Sequence, residues 1–216
     1  LDTINAINPT TNYDLILSIA SLLIPVVTLQ IQQAVFRYLL SSNASADRSR
    51  YVTSALVYIF VSSLVCYPIV FFSLKMIGIS IINGIMICVL FMSEALYILL
   101  GQVVRGLGFN AKYSISVIVY SSVNLATTAI MLAVFGLGLP GVILSLSLGY
   151  LGADLYMILA SGMFKYFDLK CFDKVALKEL LRFSAPIVPS SIALWVVNPS
   201  DRLIIIHFMG AAANGI

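Results

Sequence analysis

Residues 113–153 read YSISVIVYSSVNLATTAIMLAVFGLGLPGVILSLSLGYLGA and contain no charged side chain. An uncharged apolar stretch of about 18 residues or more is typical of a membrane-spanning helix. This stretch is long enough for two such helices, and its segment 136–141, GLGLPG, is rich in turn-forming residues. The sequence therefore predicts two consecutive spans joined by a short, uncharged turn.

The whole chain has the same apolar character. Of its 216 residues, 61% are hydrophobic and 10% are charged, whereas soluble domains carry about 25% charged residues. The mean hydropathy is +1.04. At about 20 residues per span, the chain accommodates about six spans and leaves no room for a soluble catalytic domain. The composition predicts an all-α, polytopic membrane helix bundle and excludes a water-soluble fold.

Basic residues mark one side of the predicted bundle. We place the spans at about 15–40, 51–74, 80–104, 113–135, 142–164 and 183–209. Loops 41–50, 105–112 and 165–182 hold nine Lys and Arg residues, and the loops and chain ends of the other side hold only Lys75. Basic loops of membrane proteins are cytoplasmic. We therefore expect both ends of the chain on the non-cytoplasmic side, as in a fragment that lacks its first helix.

Two carboxyl groups fall near the middle of predicted spans, at Glu94 and Asp154. Charged residues inside spans are costly and normally face the bundle interior or a wet cavity. Each carboxyl could be hydrogen-bonded to a neighbouring helix, or it could line a cavity and couple transport to an ion.

A polar helix face is predicted in the first span. Gln30, Gln33 and Arg37 are spaced at i, i+3 and i+7, which places them on one side of a helix. Arg37 could extend its charge to the cytoplasmic interface, or it could bind an anion in a water-filled cavity.

The last predicted span is the least regular. Prolines at 186, 189 and 199 interrupt it, and Asn198, Asp201 and Arg202 place polar groups in its outer half. Proline removes a backbone donor, so we expect a bent or broken helix. Broken helices often mark transporter binding sites, although an Asp201–Arg202 pair at the outer interface is an alternative interpretation.

Two further segments have patterns that predict structural roles. Segment 165–182 is amphipathic, with Asp173 as a plausible N-cap, and we expect it to lie along the cytoplasmic interface near anionic lipid. Gly149 and Gly152, with Ser145, form a small-residue face that predicts close helix packing.

The basic residues belong to loops, which argues against nucleic-acid binding, and the three cysteines have no metal-site spacing. We expect no cofactor.

Several motifs resemble those of polysaccharide flippases, the O-antigen and capsule exporters of the multidrug/oligosaccharidyl-lipid/polysaccharide superfamily. The strongest is LLRFSAPIVPSS at 180–191, followed by Trp195, Asn198 and the triplet SDR at 200–202. QAVFRY at 33–38 and segment 101–112 resemble the second helix and the end of the fourth helix of that family. The resemblance runs through the whole chain in order.

The resemblance implies a two-lobe transporter with six or more helices in each lobe. Residues 1–164 would form helices two to six of the first lobe, 165–182 a cytoplasmic linker, and 183–216 the first helix of the second lobe. Such a protein would move an undecaprenyl-diphosphate-linked oligosaccharide across a bacterial inner membrane by alternating access. Its partners would be that substrate, membrane lipids and polysaccharide polymerase machinery.

The resemblance also assigns roles to the polar residues of the spans. The implied anion or sugar contacts are Arg37 and Arg202, with Gln33, Asn198 and Asp201 beside them, and the implied polar lining or ion-coupling groups are Glu94 and Asp154. A cation-coupled multidrug antiporter of the same superfamily would share this fold, but it would carry a cluster of acidic residues. A membrane enzyme of polysaccharide assembly would need a large outside loop, and the outside loops between these spans are short.

Overall fold

A computed structural model describes residues 24–42, 44–76 and 80–194. Within these ranges the chain is all-helical and contains no strand. We number the main helices in chain order as α1 (Ile31–Ser41), α2 (Ser45–Met76), α3 (Ile81–Gly106), α4 (Asn110–Ala133), α5 (Gly138–Ser161) and α6 (Lys174–Ser184). Short 3₁₀ turns cover Met163–Lys165, Leu169–Cys171 and Ala185–Ile187, and residues 188–194 are helical.

Four of the helices are long and apolar enough to cross a membrane. Their spanning segments are Ala46–Phe72, Ile81–Gly106, Asn110–Ala133 and Pro140–Ser161. They correspond to the second, third, fourth and fifth predicted spans, so the all-helical polytopic architecture is confirmed. Parts of the first and last predicted spans lie outside the described residues.

The first predicted span is not one continuous helix. Residues 24–28 are helical, but Leu29 and Gln30 have φ angles of 44° and 54°, and a new helix begins at Ile31. Left-handed backbone is costly for residues other than glycine, and it interrupts the hydrogen-bond ladder of an α-helix. The continuous helix predicted over 15–40 is therefore wrong at residues 29–30.

The predicted polar loop at 41–50 is also shorter than expected. Helix α2 begins at Ser45, so Arg48 and Arg50 lie in its first two turns rather than in a loop. Arg50 bonds to Asp47 within this helix and to Asp173 of the linker. These contacts stabilise a helical start that the charge pattern alone does not predict.

Helix α3 lies at the centre of the described bundle and contacts α1, α2, α4 and α5. The closest helix pair is α4 with α5, where the predicted small-residue face is confirmed. A Cβ atom added to Gly149 would lie 3.0 Å from the Cβ atom of Asn124, and one added to Gly152 would lie 3.3 Å from Val123. Glycine allows these two helices to approach this closely.

The linker packs against α1 and α2. Its helix α6 begins at Lys174, and the carboxylate of the preceding residue, Asp173, accepts a hydrogen bond of 2.9 Å from the backbone N–H of Val175, as predicted for an N-cap. Ala176 and Leu180 are buried on one side of α6, while Lys174 and Lys178 are exposed on the other. The amphipathic pattern therefore docks the linker against the bundle.

Candidate functional site

Helix α1 has one buried face and one free polar face. Ile31, Val35 and Leu39 are fully buried against the bundle, whereas Gln33 and Arg37 are exposed. The side chains of residues 33 and 37 lie one turn apart, as their spacing predicts. Neither side chain makes a hydrogen bond or ion pair among the described residues, so within this part of the chain the two groups are available to a polar or anionic molecule.

The break at Leu29 and Gln30 lies directly before this polar face. The side-chain amide of Gln32 donates a 3.0 Å hydrogen bond to the side-chain oxygen of Gln30, and the backbone N–H of Gln33 bonds to the carbonyl of Gln30. Gln32 is buried, and its own side-chain oxygen has no partner among the described residues. Non-helical backbone at membrane depth is tolerated where it is buried in protein or lines a cavity. The break therefore adds polar groups to the part of α1 that carries Gln33 and Arg37.

Arg37 also contacts the start of the segment that follows the linker. Its guanidinium carbon lies 4.3 Å from the ring centroid of Phe183, which is a favourable cation–π distance. The Phe183 ring packs edge-on against Tyr38, and Tyr38 stacks on Tyr51 at a centroid distance of 5.0 Å. This aromatic group joins α1, α2 and the end of α6.

Other cations at the same end of the bundle lie over aromatic rings. Arg105 lies 5.2 Å from the ring of Phe36 and 5.3 Å from that of Tyr113. Lys112 lies 4.2 Å from the ring of Phe109 and donates a 2.7 Å hydrogen bond to the carbonyl of Ala160. The basic segments predicted to be cytoplasmic are thus gathered at one end of the bundle, which is the arrangement that the charge count predicts.

The two mid-span carboxyls flank a cluster of three tyrosines. Tyr97 of α3, Tyr120 of α4 and Tyr150 of α5 have ring centroids 4.6 to 5.8 Å apart. Glu94 lies one turn before Tyr97 in α3, and Asp154 lies one turn after Tyr150 in α5. The cluster places polar groups between three spanning helices.

Asp154 is buried without a hydrogen-bond partner. Its exposed fraction is 5%, and neither carboxylate oxygen has a partner among the described residues. A charged carboxylate without a partner is strongly disfavoured in apolar surroundings. Among the described residues, the structural interpretation of Asp154 therefore finds no hydrogen-bond partner, and both interpretations of this carboxyl stay predictions.

The predicted site residues are distributed over separate parts of the structure. Gln33 and Arg37 share the free face of α1, while Glu94 and Asp154 share the tyrosine cluster. No ion pair joins Arg37 to either carboxyl within the described ranges. Asn198, Asp201 and Arg202 lie outside the described residues. In the part of the chain that the structure describes, no three His, Cys, Asp or Glu side chains form a group that could hold a metal ion.

The tyrosine cluster was not predicted from the sequence. Its members are separated by more than 20 residues in the chain, and only the packing of α3, α4 and α5 brings their rings together. The one available signal is that each of these tyrosines lies in an otherwise apolar span.

The four spanning helices define a multi-pass membrane protein, with a buried carboxyl at Asp154 and a partly buried one at Glu94 in two of its spans. Over residues 11–216 the chain matches the sequence model of a family described as "Polysaccharide biosynthesis protein". The chain belongs to this family, which is consistent with its resemblance to polysaccharide flippases. Comparisons with curated proteins and with solved structures gave no match.

Proposed function

We propose that the protein is a flippase that moves a lipid-linked oligosaccharide across the bacterial inner membrane by alternating access. The substrate would be an undecaprenyl-diphosphate-linked oligosaccharide, and the polysaccharide polymerase machinery would receive it. The observation that carries this proposal is the free polar face of α1, with Gln33 and Arg37 exposed beside a broken helix. Membership of a polysaccharide biosynthesis family supports the choice of substrate class.

The chemistry of the polar face suits this substrate. A guanidinium group binds phosphate oxygens through paired, charge-assisted hydrogen bonds, and amide side chains donate to and accept from sugar hydroxyls. The isoprenoid tail would stay in the bilayer while Arg37 and Gln33 contact the diphosphate and the first sugars. Arg202, Asn198 and Asp201 would supply further polar contacts from the second lobe.

Glu94 and Asp154 would couple this movement to an ion. A carboxyl that lies in a spanning helix without a partner can change its protonation state as the helices around it move. The same two groups would also serve a cation-coupled multidrug antiporter, which is the second candidate function. A membrane enzyme would need a large outer loop to carry its catalytic residues. The described residues between helices on the predicted outer side are 80 and 134–137, which favours a transporter of either kind.

A complementation assay tests the proposal. The full-length gene product is expressed in a strain that lacks its polysaccharide flippase and makes a matched glycan, and surface polysaccharide is measured. Wild type should restore it. Arg37→Ala should reduce it by about tenfold or more, since a hydrogen bond to a charged group is worth about 1.5–3 kcal/mol.

Arg48→Ala is the matched control. Arg48 donates to the carbonyl of Ser42 at the cytoplasmic start of α2 and has no part in the polar face. Equal rescue by wild type and Arg37→Ala would contradict the assigned role of Arg37. Failure of wild type to rescue, together with resistance to cationic drugs, would favour the antiporter.

A further inference from the structure

An apolar cleft of about 760 Å³ opens between α2 and α5, and their common neighbour α3 forms its floor with Met92, Leu96 and Leu100. Its volume lies within the range of about 300–1,000 Å³ that is usual for ligand sites. Its walls carry large apolar side chains that no other described helix covers: Phe60 and Val61 on α2, and Leu151 and Leu155 on α5. In a membrane-spanning bundle, such a cleft opens towards lipid.

One end of the cleft is lined by residues at the start of the linker. Phe164, Phe167 and Leu169 line this end, and all three are exposed, Phe164 and Leu169 to 68% and 67%. Exposed aromatic and aliphatic side chains at this level would be unfavourable in water. They fit a segment that lies in the membrane interface.

Cations accompany these apolar side chains. Lys165 directly follows Phe164, and Lys170 directly follows Leu169, and both lysines are exposed. The segment contains one carboxylate, that of Asp168, and it accepts a hydrogen bond from the backbone N–H of Lys170. Two exposed positive charges thus directly follow two residues that line the cleft, and we call these two lysines the rim.

The carboxylate of Asp154 is not placed to bind a cationic ligand in the cleft. Although the residue lies on the wall, both of its carboxylate oxygens are buried within the protein. A molecule in the cleft would meet aliphatic and aromatic surface rather than this carboxylate. The charges that such a molecule can reach are the two lysines of the rim.

We propose that this cleft binds one anionic phospholipid of the cytoplasmic leaflet, with an acyl chain between α2 and α5 and the headgroup phosphate at Lys165 and Lys170. The distribution of basic residues places this end of the bundle on the cytoplasmic side, where anionic headgroups attract lysines. The site is separate from the polar face of α1. Its existence does not depend on the proposed transport function.

Quenching of tryptophan fluorescence by brominated lipids tests the proposal. The single tryptophan is first replaced by Trp195→Phe, and the reporter Leu155→Trp is introduced into the cleft. The protein is reconstituted in phosphatidylcholine vesicles that contain a minor fraction of either phosphatidylglycerol or phosphatidylcholine with brominated chains. We expect brominated phosphatidylglycerol to quench the reporter with about fivefold or higher apparent affinity, from the attraction of nearby lysines to anionic lipid.

Three variants serve as controls. Leu159→Trp places the reporter one turn along α5, at a position that is equally exposed but does not line the cleft, and it should show no lipid preference. The double variant Lys165→Gln/Lys170→Gln should abolish the preference of the Leu155→Trp reporter. Lys75→Gln, which removes an exposed lysine from the opposite end of α2, should leave it unchanged.

Each other result overturns the assignment. Equal quenching by both lipids would mean that only bulk lipid contacts the cleft. Quenching by neither lipid would mean that another part of this chain or a second copy covers the cleft. A second reporter on the opposite wall, Val61→Trp, checks that this result is not caused by the Leu155→Trp substitution. A preference that survives the double lysine variant would exclude these lysines as the headgroup site.

Discussion

Asp154 is the residue at which stability and the proposed function would oppose each other. Its carboxyl is buried in α5 and has no hydrogen-bond partner among the described residues. Leaving a buried polar group without a partner costs about 1–3 kcal/mol. A residue with this cost is retained more readily when the group is needed for function.

We therefore predict that Asp154→Leu stabilises the protein by about 1–3 kcal/mol, because it removes a polar group that has no partner and keeps a similar volume. The thermal midpoint in detergent measures this effect. Surface polysaccharide in the complementation assay should be lost in the same variant.

Ser145→Ala is the control for this prediction. Ser145 is equally buried, but its hydroxyl donates a 2.7 Å hydrogen bond to the carbonyl of Gly141, so its removal should not stabilise the protein. A lower thermal midpoint for Asp154→Leu than for wild type would show that the carboxyl has a stabilising partner.

Side-chain spacing predicts the exposure of single residues well and their partners poorly. The free face of Gln33 and Arg37 follows from the helical repeat, and so does the packing face of Gly149 and Gly152. The contact of Arg37 with Phe183 does not follow from the repeat, because it joins residues that are distant in the chain. Long-range contacts of this kind depend on the packing of whole helices.

At the scale of elements, the linker is held by contacts with α2. Arg50 of α2 bonds to the carboxylate of Asp173, and the hydroxyl of Ser54 bonds to the backbone N–H and carbonyl of the same residue. The hydroxyl of Tyr51 donates to the carboxylate of Glu179. These bonds attach α6 and its N-cap to α2.

We predict that Arg50→Gln loosens α6. Amide hydrogen exchange in residues 163–184, measured by mass spectrometry, should become faster by up to about fivefold, as expected for the loss of an exposed ion pair. Arg48→Gln is the matched control, since Arg48 bonds to Ser42 and not to the linker. Unchanged exchange in Arg50→Gln would mean that apolar packing alone holds α6.

The same attachment should depend on pH. The backbone N–H of Val175 and the Arg50 guanidinium lower the pKa of the Asp173 carboxyl below its ordinary value. A lowered pKa in the folded state means that the stabilisation is complete above the unfolded-state value of about 3.9 and is lost as pH falls through the folded value. Exchange in α6 should therefore be constant between neutral pH and about pH 5, after correction for the intrinsic rate, and should increase in more acidic buffer. An increase between pH 7 and pH 5 would point to another group.

The packing of α4 against α5 gives a further prediction. A side chain at Gly149 would meet Asn124 and the ring of Tyr120, so Gly149→Val should destabilise the protein by about 1–3 kcal/mol through overpacking. Gly152→Ala adds a single Cβ atom, whose nearest neighbour is a methyl group of Val123 at 3.3 Å, and it should cost less. The thermal midpoints of both variants in detergent show which substitution destabilises the protein more. A larger decrease for Gly152→Ala than for Gly149→Val would contradict this account of the interface.

Helix positions were predicted more successfully than helix interruptions. Long apolar runs predict α3, α4 and α5 to within a few residues. The break after residue 28 was not predicted because Leu29 and Gln30 are not residues that favour left-handed backbone, whereas the prolines that predicted a break lie at 186, 189 and 199. Two local hydrogen bonds accompany the break, from the Gln32 side chain to that of Gln30 and from the backbone N–H of Gln30 to the Thr28 hydroxyl, and neither is signalled by the sequence pattern.

For the whole molecule, the charge distribution predicts which side of the membrane each loop occupies. Ser80, before α3, should lie outside, and Ser41, at the end of α1, should lie in the cytoplasm. Both side chains are exposed, and cysteine is close to serine in size, so Ser80→Cys and Ser41→Cys form a matched pair.

In a background without the native cysteines, a membrane-impermeant maleimide added to intact cells should label the Ser80→Cys protein and not the Ser41→Cys protein. Both should react after permeabilisation. The opposite pattern would invert the topology and place the linker outside the cell.

The bonds between α2 and the linker also constrain how the protein is made. Arg50 and Asp173 are separated by 123 residues, so at a synthesis rate of about 5–20 residues per second Arg50 waits roughly 6–25 seconds for its partner to leave the ribosome. During this interval α3, α4 and α5 must enter the membrane while the polar start of α2 has no linker to bind. The speed of translation between these two residues therefore determines how long the nascent chain remains open to mispairing or degradation.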